Sequence, residues 1–548
     1  MNYRRHSFWR GLPASAAMAG LLSLWSLSAG KPTLAARAEE QVTRDFQKTV
    51  TLGAGQSVHI EHKFGEVRVH GESGRDVKIS ATIRVQASSK DEAESFSQKI
   101  QIDVQQSSEG VRIKTIYPPE ENRWFHFSRH SSWSVSYDIA MPSDAPLTVR
   151  NSFGSIEAAG IRGAGDLENS HGSVTVHDAG AVRLNNSFGS IELNGATGDA
   201  FVNDTNGSIQ VYEVKGALDV RNRFGSIATK SIQGAVTITG GNGTVTLSDS
   251  GAANIVTSFG SVDARNVKGD LTVRDNNGNI EIATIAGAAD LTNSFGNVTL
   301  SEVRGRVNCK TNNGRVKGSN LTGSSVTIRD SFANIELDTI NGALDAETSN
   351  GKITVRDARG SVTLKTSFGA IEASNIPRGI SATSSNGAIT LTDIGADAYA
   401  KTSFGSVLAE RVNGNLTVEN SNGSVAARNV KGDARVNTSF SGVTLESIGG
   451  RISVDNQNGG ISVTATRPAS GCRDISLKTS FSAIRVRIPE GLGYNLSAHT
   501  TFGRINSELP VTSTGSIGGD NLTGTIGNGG CQLQLTDSNG SIEISKAQ

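Results

Sequence analysis

A Phe or an Asn at one fixed position of an 18-residue repeat constrains this chain more than any other feature of its sequence. Nine phenylalanines recur at regular intervals, and each is answered 18 residues later by His or Asn followed by Gly. A fixed period of this length indicates stacked copies of a unit that cannot bury its own apolar face. We call these positions the corner ladder and each residue a rung. The phenylalanine rungs are Phe153, Phe188, Phe224, Phe259, Phe295, Phe332, Phe368, Phe404 and Phe440, and the answering rungs are His171, Asn206, Asn242, Asn277, Asn313, Asn350, Asn386, Asn422 and Asn458.

Apolar residues recur three, five, eight, twelve and fourteen positions after each rung. Ile191 and Leu193 illustrate the first pair, Val267 the position at eight, and Leu218 and Val220 the last pair. Apolar residues two apart are typical of strands with one buried face. Because every coil has the same order of inward and outward residues, the copies superpose only if their strands run parallel. The sequence therefore predicts an all-β fold, an elongated parallel β-helix (β-solenoid) of about 18 residues per coil. We expect two strands per coil and a third short one at position eight.

The chain divides into four predicted regions. Arg4, Arg5 and Arg10 precede an apolar run over 12–29, and Ala38 ends a small-residue motif, so we expect residues 1–38 to be an export signal. A membrane anchor is the alternative reading of this segment. Residues 39–150 form an N-terminal β-rich region and cap, 151–465 form the regular solenoid, and 466–548 form irregular C-terminal coils and a cap. No transmembrane segment is expected after signal removal, so we expect a protein exported to the periplasm, the outer-membrane surface or the extracellular space.

The N-terminal region contains a predicted short helix and the most aromatic stretch of the chain. The polar stretch 88–99 favours a helix with Ser89 as its cap. Trp124, Phe125, Phe127 and Trp133 are either part of a cap that covers the first open coil or the candidate surface of a partner-binding loop.

The three cysteines have different predicted roles. Cys309 stands where other coils have Val, Ile or Ala, so we expect a small buried hydrophobic residue. Cys472 and Cys531 lie outside the regular coils, and a disulfide between them is a hypothesis suited to an exported chain.

Charge and motif content argue against several functional classes. The 52 basic and 52 acidic residues balance, so nucleic acid is not an expected partner. Acidic residues recur four positions after several rungs, but they are spread along the rod instead of converging on one cleft. We therefore expect no enzyme, no catalytic residue, no cofactor and no metal site. The acidic positions are Glu157, Glu192, Asp263, Glu336 and Glu372, and the histidines that lack ligand spacing are His126, His130, His171 and His177.

Several motifs resemble one family. The recurrent Ser-Phe-Gly-Ser-Ile and Ser-Asn-Gly-Ser-Ile units, the segment 64–69, and the closing segments 501–505, 524–527 and 538–542 are similar to the bacterial β-strand-repeat putative adhesins, a family of unknown function related to head-GIN-type auto-transporter-like adhesins. The resemblance implies a right-handed parallel β-helix located beyond the cytoplasmic membrane. It implies no catalytic residue.

Three functional hypotheses follow from these observations. The first is a non-enzymatic exported rod with a long surface for adhesion or envelope interactions with a glycan, an envelope protein or itself. The second is a periplasmic structural scaffold that self-associates end to end through its terminal strands. The third, less favoured, is a polysaccharide-active β-helix enzyme. For the ladder phenylalanines we expect half-burial over the neighbouring turns, and the alternative is an exposed aromatic ladder.

Overall fold

The solenoid is preceded by a mixed β region with one helix. The structure, a computed structural model, describes residues 40–118, 131–467, 471–513 and 518–547. The predicted export signal lies outside these residues. The first elements are β1 (Glu40–Thr51), β2 (Ser57–Glu61), β3 (Val67–Glu72), β4 (Asp76–Ala87), α1 (Lys90–Lys99), β5 (Gln101–Gln106), β6 (Gly110–Ile116) and β7 (Ser132–Pro142).

Strands β1, β4 and β7 form an antiparallel sheet against which α1 packs. The side chain of Ser89 accepts a hydrogen bond from the backbone N–H of Glu92 at 3.3 Å, so the predicted helix cap is confirmed.

The central chain then alternates between two sheets for 38 consecutive strands. The odd-numbered strands form sheet A and the even-numbered strands form sheet B. These strands are β8 (Leu147–Phe153), β9 (Ile156–Ala159), β10 (Gly165–His171), β11 (Val174–Ala179), β12 (Val182–Phe188), β13 (Ile191–Ala196), β14 (Ala200–Asn206), β15 (Ile209–Val214), β16 (Leu218–Phe224), β17 (Ile227–Ile232), β18 (Val236–Asn242), β19 (Val245–Ser250), β20 (Ala253–Val256), β21 (Val262–Val267), β22 (Leu271–Asn277), β23 (Ile280–Ile285), β24 (Ala289–Phe295), β25 (Val298–Val303), β26 (Val307–Lys310), β27 (Val316–Leu321), β28 (Ser325–Arg329), β29 (Ile335–Ile340), β30 (Ala343–Glu347), β31 (Ile353–Ala358), β32 (Val362–Lys365), β33 (Ile371–Ile376), β34 (Ile380–Thr383), β35 (Ile389–Ile394), β36 (Ala398–Lys401), β37 (Val407–Val412), β38 (Leu416–Glu419), β39 (Val425–Val430), β40 (Ala434–Thr438), β41 (Val443–Ile448), β42 (Ile452–Asn456), β43 (Ile461–Thr464), β44 (Ile475–Lys478) and β45 (Ile484–Ile488).

Every neighbouring pair within these coils is parallel and in register, which confirms the predicted β-solenoid. In sheet A, Ile191 lies beside Ile209, and in sheet B, Leu184 lies beside Val202. The inward residues of both sheets are buried and form a long apolar core between them. Like side chains stack along the rod because each coil repeats the inward pattern of the coil before it.

The expectation of a third strand at position eight is wrong. Ile232 is the last residue of β17 and not a separate strand. Ser231, immediately before it, has a φ of 61°, and this left-handed residue turns Ile232 into the core. A left-handed residue recurs at this position in the successive coils, so each coil has two strands and a turned strand end.

At both ends of the rod, the order of the strands within the sheets differs from their order in the sequence. Strand β2 lies between β6 and β8, and β3 lies between β7 and β9. The remaining strands are β46 (Tyr494–Thr500), β47 (Ile505–Ser507), β48 (Val511–Ser513), β49 (Asn521–Ile526), β50 (Cys531–Asp537) and β51 (Ile542–Lys546).

The last coil of the sequence, formed by β50 and β51, is inserted between the coil of β44 and β45 and the coil of β46 and β47. Strand β50 pairs with β44 and β46, and β51 pairs with β45 and β47. Cys472 and Cys531 are disulfide-bonded and join this inserted coil to the body of the rod. Among the described residues, no helix is both long enough and apolar enough to cross a membrane.

Candidate functional site: an aromatic ladder along one edge of the rod

The corner ladder lies along one edge of the rod, where sheet B turns into sheet A. Backbone pairing places Asn206 beside Phe188 on one side and Phe224 on the other, so rungs of the two types alternate along the stack. The ladder is longer than the sequence pattern indicates, because Phe64 pairs with Phe153 at the N-terminal end.

Alternation also continues through the inserted C-terminal coil. The backbone N–H of Asn539 donates to Ser480 O, and that of Phe502 donates to Ser538 O. Asn539 therefore lies between Phe481 and Phe502, although it follows both in sequence. The coils here are therefore not stacked in the order of the sequence, but Phe and Asn rungs still alternate along the stack.

A column of buried polar side chains supports the ladder from inside. It occupies the position two residues before every rung except Asn242, where Gly240 stands. At this position Asn186 Nδ2 donates to Gly172 O at 3.0 Å and to Gly189 O at 2.9 Å. Thr402 Oγ1 similarly donates to Gly387 O at 3.1 Å. These bonds tie successive corners together and satisfy carbonyls that would otherwise be buried without a partner. The members of this inner polar column are His62, Asn151, Asn169, Asn186, Asp204, Asn222, Thr257, Asp275, Asn293, Thr311, Asp330, Thr348, Thr366, Ser384, Thr402, Asn420, Thr438, Asn456, Thr479, Asp537 and Thr500.

Buried ionisable groups in this column have shifted pKa values. Burial raises the pKa of Asp204 to about 6 and lowers that of His62 to about 4. His62 Nδ1 lies 3.0 Å from Thr115 Oγ1, which is 2.6 Å from the hydroxyl of Tyr137. His62, Thr115 and Tyr137 are buried in the N-terminal region, where they pack inside the first corner.

Gly follows most rungs because successive backbones approach closely there, although Ala333, Ser441 and Ser482 stand at this position after Phe332, Phe440 and Phe481. A Cβ on Gly387 would lie 1.7 Å from Gly369 O, far inside van der Waals contact. The corner is therefore a narrow backbone ridge from which the rung side chains project, and at Arg223 the preceding side chain is exposed as well.

The ladder phenylalanines are exposed. Exposure is 39% at Phe224, 65% at Phe368 and 81% at Phe502. The expected half-burial describes only the first rings, and from Phe259 onward more than half of each side chain is accessible. The rings project because the inner polar column, and not the rung, fills the space inside the corner. The structure thus has the alternative arrangement, an exposed aromatic ladder.

The rings form a continuous stack at the N-terminal end. The centroids of Phe64 and Phe153 are 5.4 Å apart, those of Phe153 and His171 are 4.6 Å apart, and those of His171 and Phe188 are 5.0 Å apart, with interplanar angles of 13–15°. Beyond Phe188, every second rung is Asn and the stack is interrupted.

Four asparagine rungs fold back and leave the spaces between the rings unfilled. Asn386 Nδ2 donates to Ser367 O at 3.2 Å, and Asn422 Nδ2 donates to Ser403 O at 3.1 Å. Asn350 and Asn539 make the same contact with Ser331 O and Ser480 O. Because these amides fold back onto the backbone of the preceding coil, a gap is left between neighbouring phenylalanine rings.

A shallow groove follows the opposite turn of the coil, beside the left-handed residues. One part has a volume of about 650 Å³ and includes Asp393 and Arg411, and another of about 560 Å³ includes Asp178 and Glu213. Arg411 Nη2 donates to Asp393 Oδ2 at 3.0 Å, and this bond lowers the pKa of Asp393. The sequence analysis missed this groove because its residue types vary from coil to coil.

The other predicted residues lie apart from the ladder or only at its end. Trp133 is half-buried in the N-terminal cap, 5.1 Å from the ring of Phe96 and 5.9 Å from that of Phe64. Trp124, Phe125 and Phe127 lie outside the described residues, as do His126 and His130. Cys309 is fully buried, as expected.

The acidic side chains examined as catalytic candidates lie on the outward face of sheet A. Glu372 pairs with Lys352 at 2.7 Å, and Asp263 pairs with Arg265 at 2.7 Å. In the described ranges, no three His, Cys, Asp or Glu side chains are grouped in a way that could hold a metal ion.

The fold and the ladder define a β-solenoid repeat protein with one exposed aromatic edge. No family model matches the chain, and no curated protein matches it. A solved structure to which the chain is similar is described as "a putative cell adhesion protein from Clostridium sporogenes"; it is 9% identical, and the match covers 50% of this chain and 99% of that chain with a TM-score of 0.15. A likeness this low carries no argument, so function is argued from the geometry of this chain.

Proposed function

We propose that the chain is a non-enzymatic exported rod that makes adhesive contacts at the cell envelope through its corner ladder. The observation that carries this proposal is the row of exposed Phe rings that runs along one edge of the rod. Soluble proteins rarely keep a long row of large apolar side chains in water unless it serves an interaction. Aromatic rings with open faces can stack on sugars, on other aromatic rings or on apolar side chains.

The end-to-end scaffold is less well supported by the ends of the rod. The N-terminal end carries the antiparallel sheet of β1, β4 and β7, and the C-terminal end finishes with the three-residue strands β47 and β48. Short terminal strands limit edge-to-edge pairing at the C-terminal end, and at the N-terminal end α1 packs on β1, the twelve-residue edge strand of sheet A. The lateral edge is the better contact surface.

The test compares two triple variants of the full-length chain. The ladder variant carries Phe259→Ser, Phe295→Ser and Phe368→Ser, and the control carries Phe201→Ser, Tyr212→Ser and Tyr399→Ser on the outward sheet faces. Beads coated with each protein are washed over surfaces of peptidoglycan sacculi, cellulose, chitin or the wild-type protein. We expect wild-type and control beads to be retained on at least one surface, and the ladder variant to bind it at least about tenfold more weakly.

Thermal melts and sugar release complete the test. An unchanged melting temperature of the ladder variant shows that the lost rings serve binding and not packing. Equal retention of all three proteins, or retention of none, contradicts the proposal. Release of soluble sugar from a glycan surface by the wild-type protein contradicts its non-enzymatic part.

A further inference from the structure

We propose that the corner ladder pairs with the corner ladder of a second copy of this chain, in an antiparallel zipper in which each Phe ring enters the gap above an Asn rung of the other copy. The proposal rests on the proposed function of the ladder as a contact surface, and it names the partner of that surface.

The gap between rings has the size of one aromatic ring. Neighbouring rungs are ~4.8 Å apart along the stack, so consecutive phenylalanines are ~9.6 Å apart. A ring inserted midway would lie ~4.8 Å from each neighbour, within the range of stacked aromatic pairs. The N-terminal end shows this filled arrangement within one chain, where Phe153, His171 and Phe188 stack at 4.6 and 5.0 Å.

The gap is open to a partner. Asn350 and Asn386 direct their amides back to Ser331 O and Ser367 O and leave the space between Phe332, Phe368 and Phe404 unfilled. The residues beside the rungs are small as well, since Ser most often precedes a rung and Gly most often follows it. Around Phe332, Phe368 and Phe404 every residue that adjoins a rung is Ser, Gly or Ala, so no bulky neighbour blocks the approach of a second ridge there.

The spacing of the ladder rings favours a second copy of this chain as the partner. A long partner must keep the ~9.6 Å spacing over many rings, because a small mismatch accumulates along the rod. One turn of a polyproline II helix is ~9.3 Å, so such a peptide falls out of step by ~3 Å after ten turns. An extended peptide presents side chains on one face every ~6.6 Å. A second copy has the same repeat as the first along the whole ladder.

Charge and area are compatible with this pairing. From Phe153 to Phe502 no acidic residue adjoins a rung in sequence, and Arg223 is the one basic residue that does. Charges that directly adjoin the rungs therefore do not oppose each other across the interface, and the next basic residues, Arg315, Lys352 and Arg504, lie two positions after their rungs. The ten ladder phenylalanines from Phe188 to Phe502 are 39–81% exposed. At ~200 Å² for each ring they offer roughly 1,000 Å² of apolar surface per chain, above the ~800 Å² per partner of a standard interface.

Symmetry fixes the orientation. Two parallel rods related by a two-fold axis along their length would place every Phe opposite a Phe. A shift of one rod by one coil would place Phe opposite Asn, but it would abolish the two-fold symmetry. Antiparallel rods with the two-fold axis midway between a Phe and an Asn rung place every Phe opposite an Asn. With the ladders fully overlapped from Phe188 onward, this axis passes within about one coil of Asn350.

Sedimentation equilibrium of the full-length chain tests the pairing. We expect a wild-type dimer, a dimer for the control with Phe201→Ser, Tyr212→Ser and Tyr399→Ser, and a dissociation constant raised at least about tenfold for the ladder variant with Phe259→Ser, Phe295→Ser and Phe368→Ser. A wild-type chain that stays monomeric at high micromolar concentration overturns the proposal.

A second variant separates interdigitation from general apolar adhesion. Asn350→Phe combined with Asn386→Phe adds two exposed rings and fills two gaps. A zipper predicts weaker dimerisation, because the partner rings lose their places. Stronger dimerisation of this variant would show unspecific adhesion and overturn the zipper.

Cysteine cross-linking tests the orientation. In an antiparallel pair, Ser349→Cys lies near the two-fold axis and faces its own copy, whereas Ser187→Cys lies near one end and faces the far end of its partner. We expect oxidation to cross-link the Ser349→Cys variant and not the Ser187→Cys variant. Cross-linking of both, or of the Ser187→Cys variant alone, excludes the antiparallel register.

The failure of this inference and of the proposed function can be told apart. A monomeric chain whose beads still bind a glycan surface through the ladder overturns the zipper and leaves the proposed function standing. Loss of the dimer in the ladder variant with no retention on protein-coated surfaces shows pairing that does not support adhesion.

Discussion

At the scale of single residues, the polar side chain two positions before every rung except Asn242 determines the shape of the corner. Asn186 and Asn222 each bridge two glycine carbonyls from inside, and this leaves the following rung no place in the core. Asp204 occupies the same position with a carboxyl group. Its Oδ1 accepts from the backbone of Thr205 at 2.8 Å, and its buried Oδ2 has no hydrogen-bond partner within the part of the chain that the structure describes.

We predict that Asp204→Asn stabilises the protein near neutral pH by about 1 kcal/mol, because the amide can donate where the ionised carboxylate cannot. The pKa of Asp204 is raised from 3.8 to about 6, so the folded state favours the protonated form. This contribution is fully present below the unfolded pKa and is lost as the pH rises through about 6. The variant's advantage should therefore shrink as the pH falls toward 4.

Urea unfolding of wild type, Asp204→Asn and the reverse variant Asn222→Asp at about pH 4 and about pH 7 measures this effect. Asn222→Asp should be destabilised, and more strongly at the higher pH. An Asp204→Asn variant that is less stable than wild type at neutral pH would show that the carboxylate has a favourable partner.

Most of the ladder could be predicted from the sequence, but its exposure could not. The period of Phe153 and Asn206 indicates parallel coils and places Phe beside Asn without any structure. Whether a rung points inward depends on the turn at the corner. Strand parity aims the rung inward, and the Asn in every second coil reduces this expectation to half-burial. A signal was present, since Asn-Ser-Phe-Gly and Thr-Ser-Phe-Gly both carry a polar residue two before the rung. The role of this polar residue becomes evident only from the structure, which shows the backbone carbonyl groups of the adjacent coils that it binds.

At the scale of the element, each sheet A strand from β11 to β41 has a left-handed residue immediately before its last residue, and the sequence does not reveal it. Asn320, Thr339 and Asp357 occupy this position in successive coils with φ values of 54–58°. Asn and Asp tolerate this conformation, whereas a β-branched residue is strained by it. Because the position also accepts Ser, Glu and Arg, no single residue type marks it, and its inward neighbour was mistaken for a separate strand.

We predict that Thr339→Asn raises the free energy of unfolding by roughly 0.5–1 kcal/mol, because it relieves a left-handed β-branched residue. The control is Thr354→Asn, at an outward position within β31, where Thr suits the extended backbone and the change should be neutral or destabilising. Urea unfolding of the two variants measures the difference. A destabilised Thr339→Asn variant would mean that the hydroxyl contact with Asp338, at 3.2 Å, outweighs the backbone strain.

At the scale of the whole molecule, the coil is the unit of structure and a pair of coils is the unit of the ladder. The same inward pattern repeats along the rod, so a coil can pack on any coil with similar inward residues. Alternation of Phe and Asn, however, survives a deletion from the regular coils only if an even number of coils is removed. The inserted C-terminal coil is a single coil, and it keeps the alternation because it carries Asn539 and lies between two coils that both carry Phe, at Phe481 and Phe502. This insertion could not be predicted, because nothing in the local sequence states with which coil a strand pairs.

We predict that deletion of residues 368–403, two whole coils, leaves a cooperatively folded rod shortened by ~9.6 Å. Phe404 then takes the place of Phe368, and Ala409 packs where Ala373 packed, so the core and the alternation are both kept. Deletion of residues 368–385 alone should also fold, but it places Asn350 beside Asn386 and shifts every later rung by one position. Thermal melts and the maximum dimension from small-angle scattering measure both outcomes. Loss of folding in both variants would show that these coils are not interchangeable, whereas a folded single-coil variant that dimerises as strongly as the two-coil variant would show that the phase of the ladder has no part in pairing.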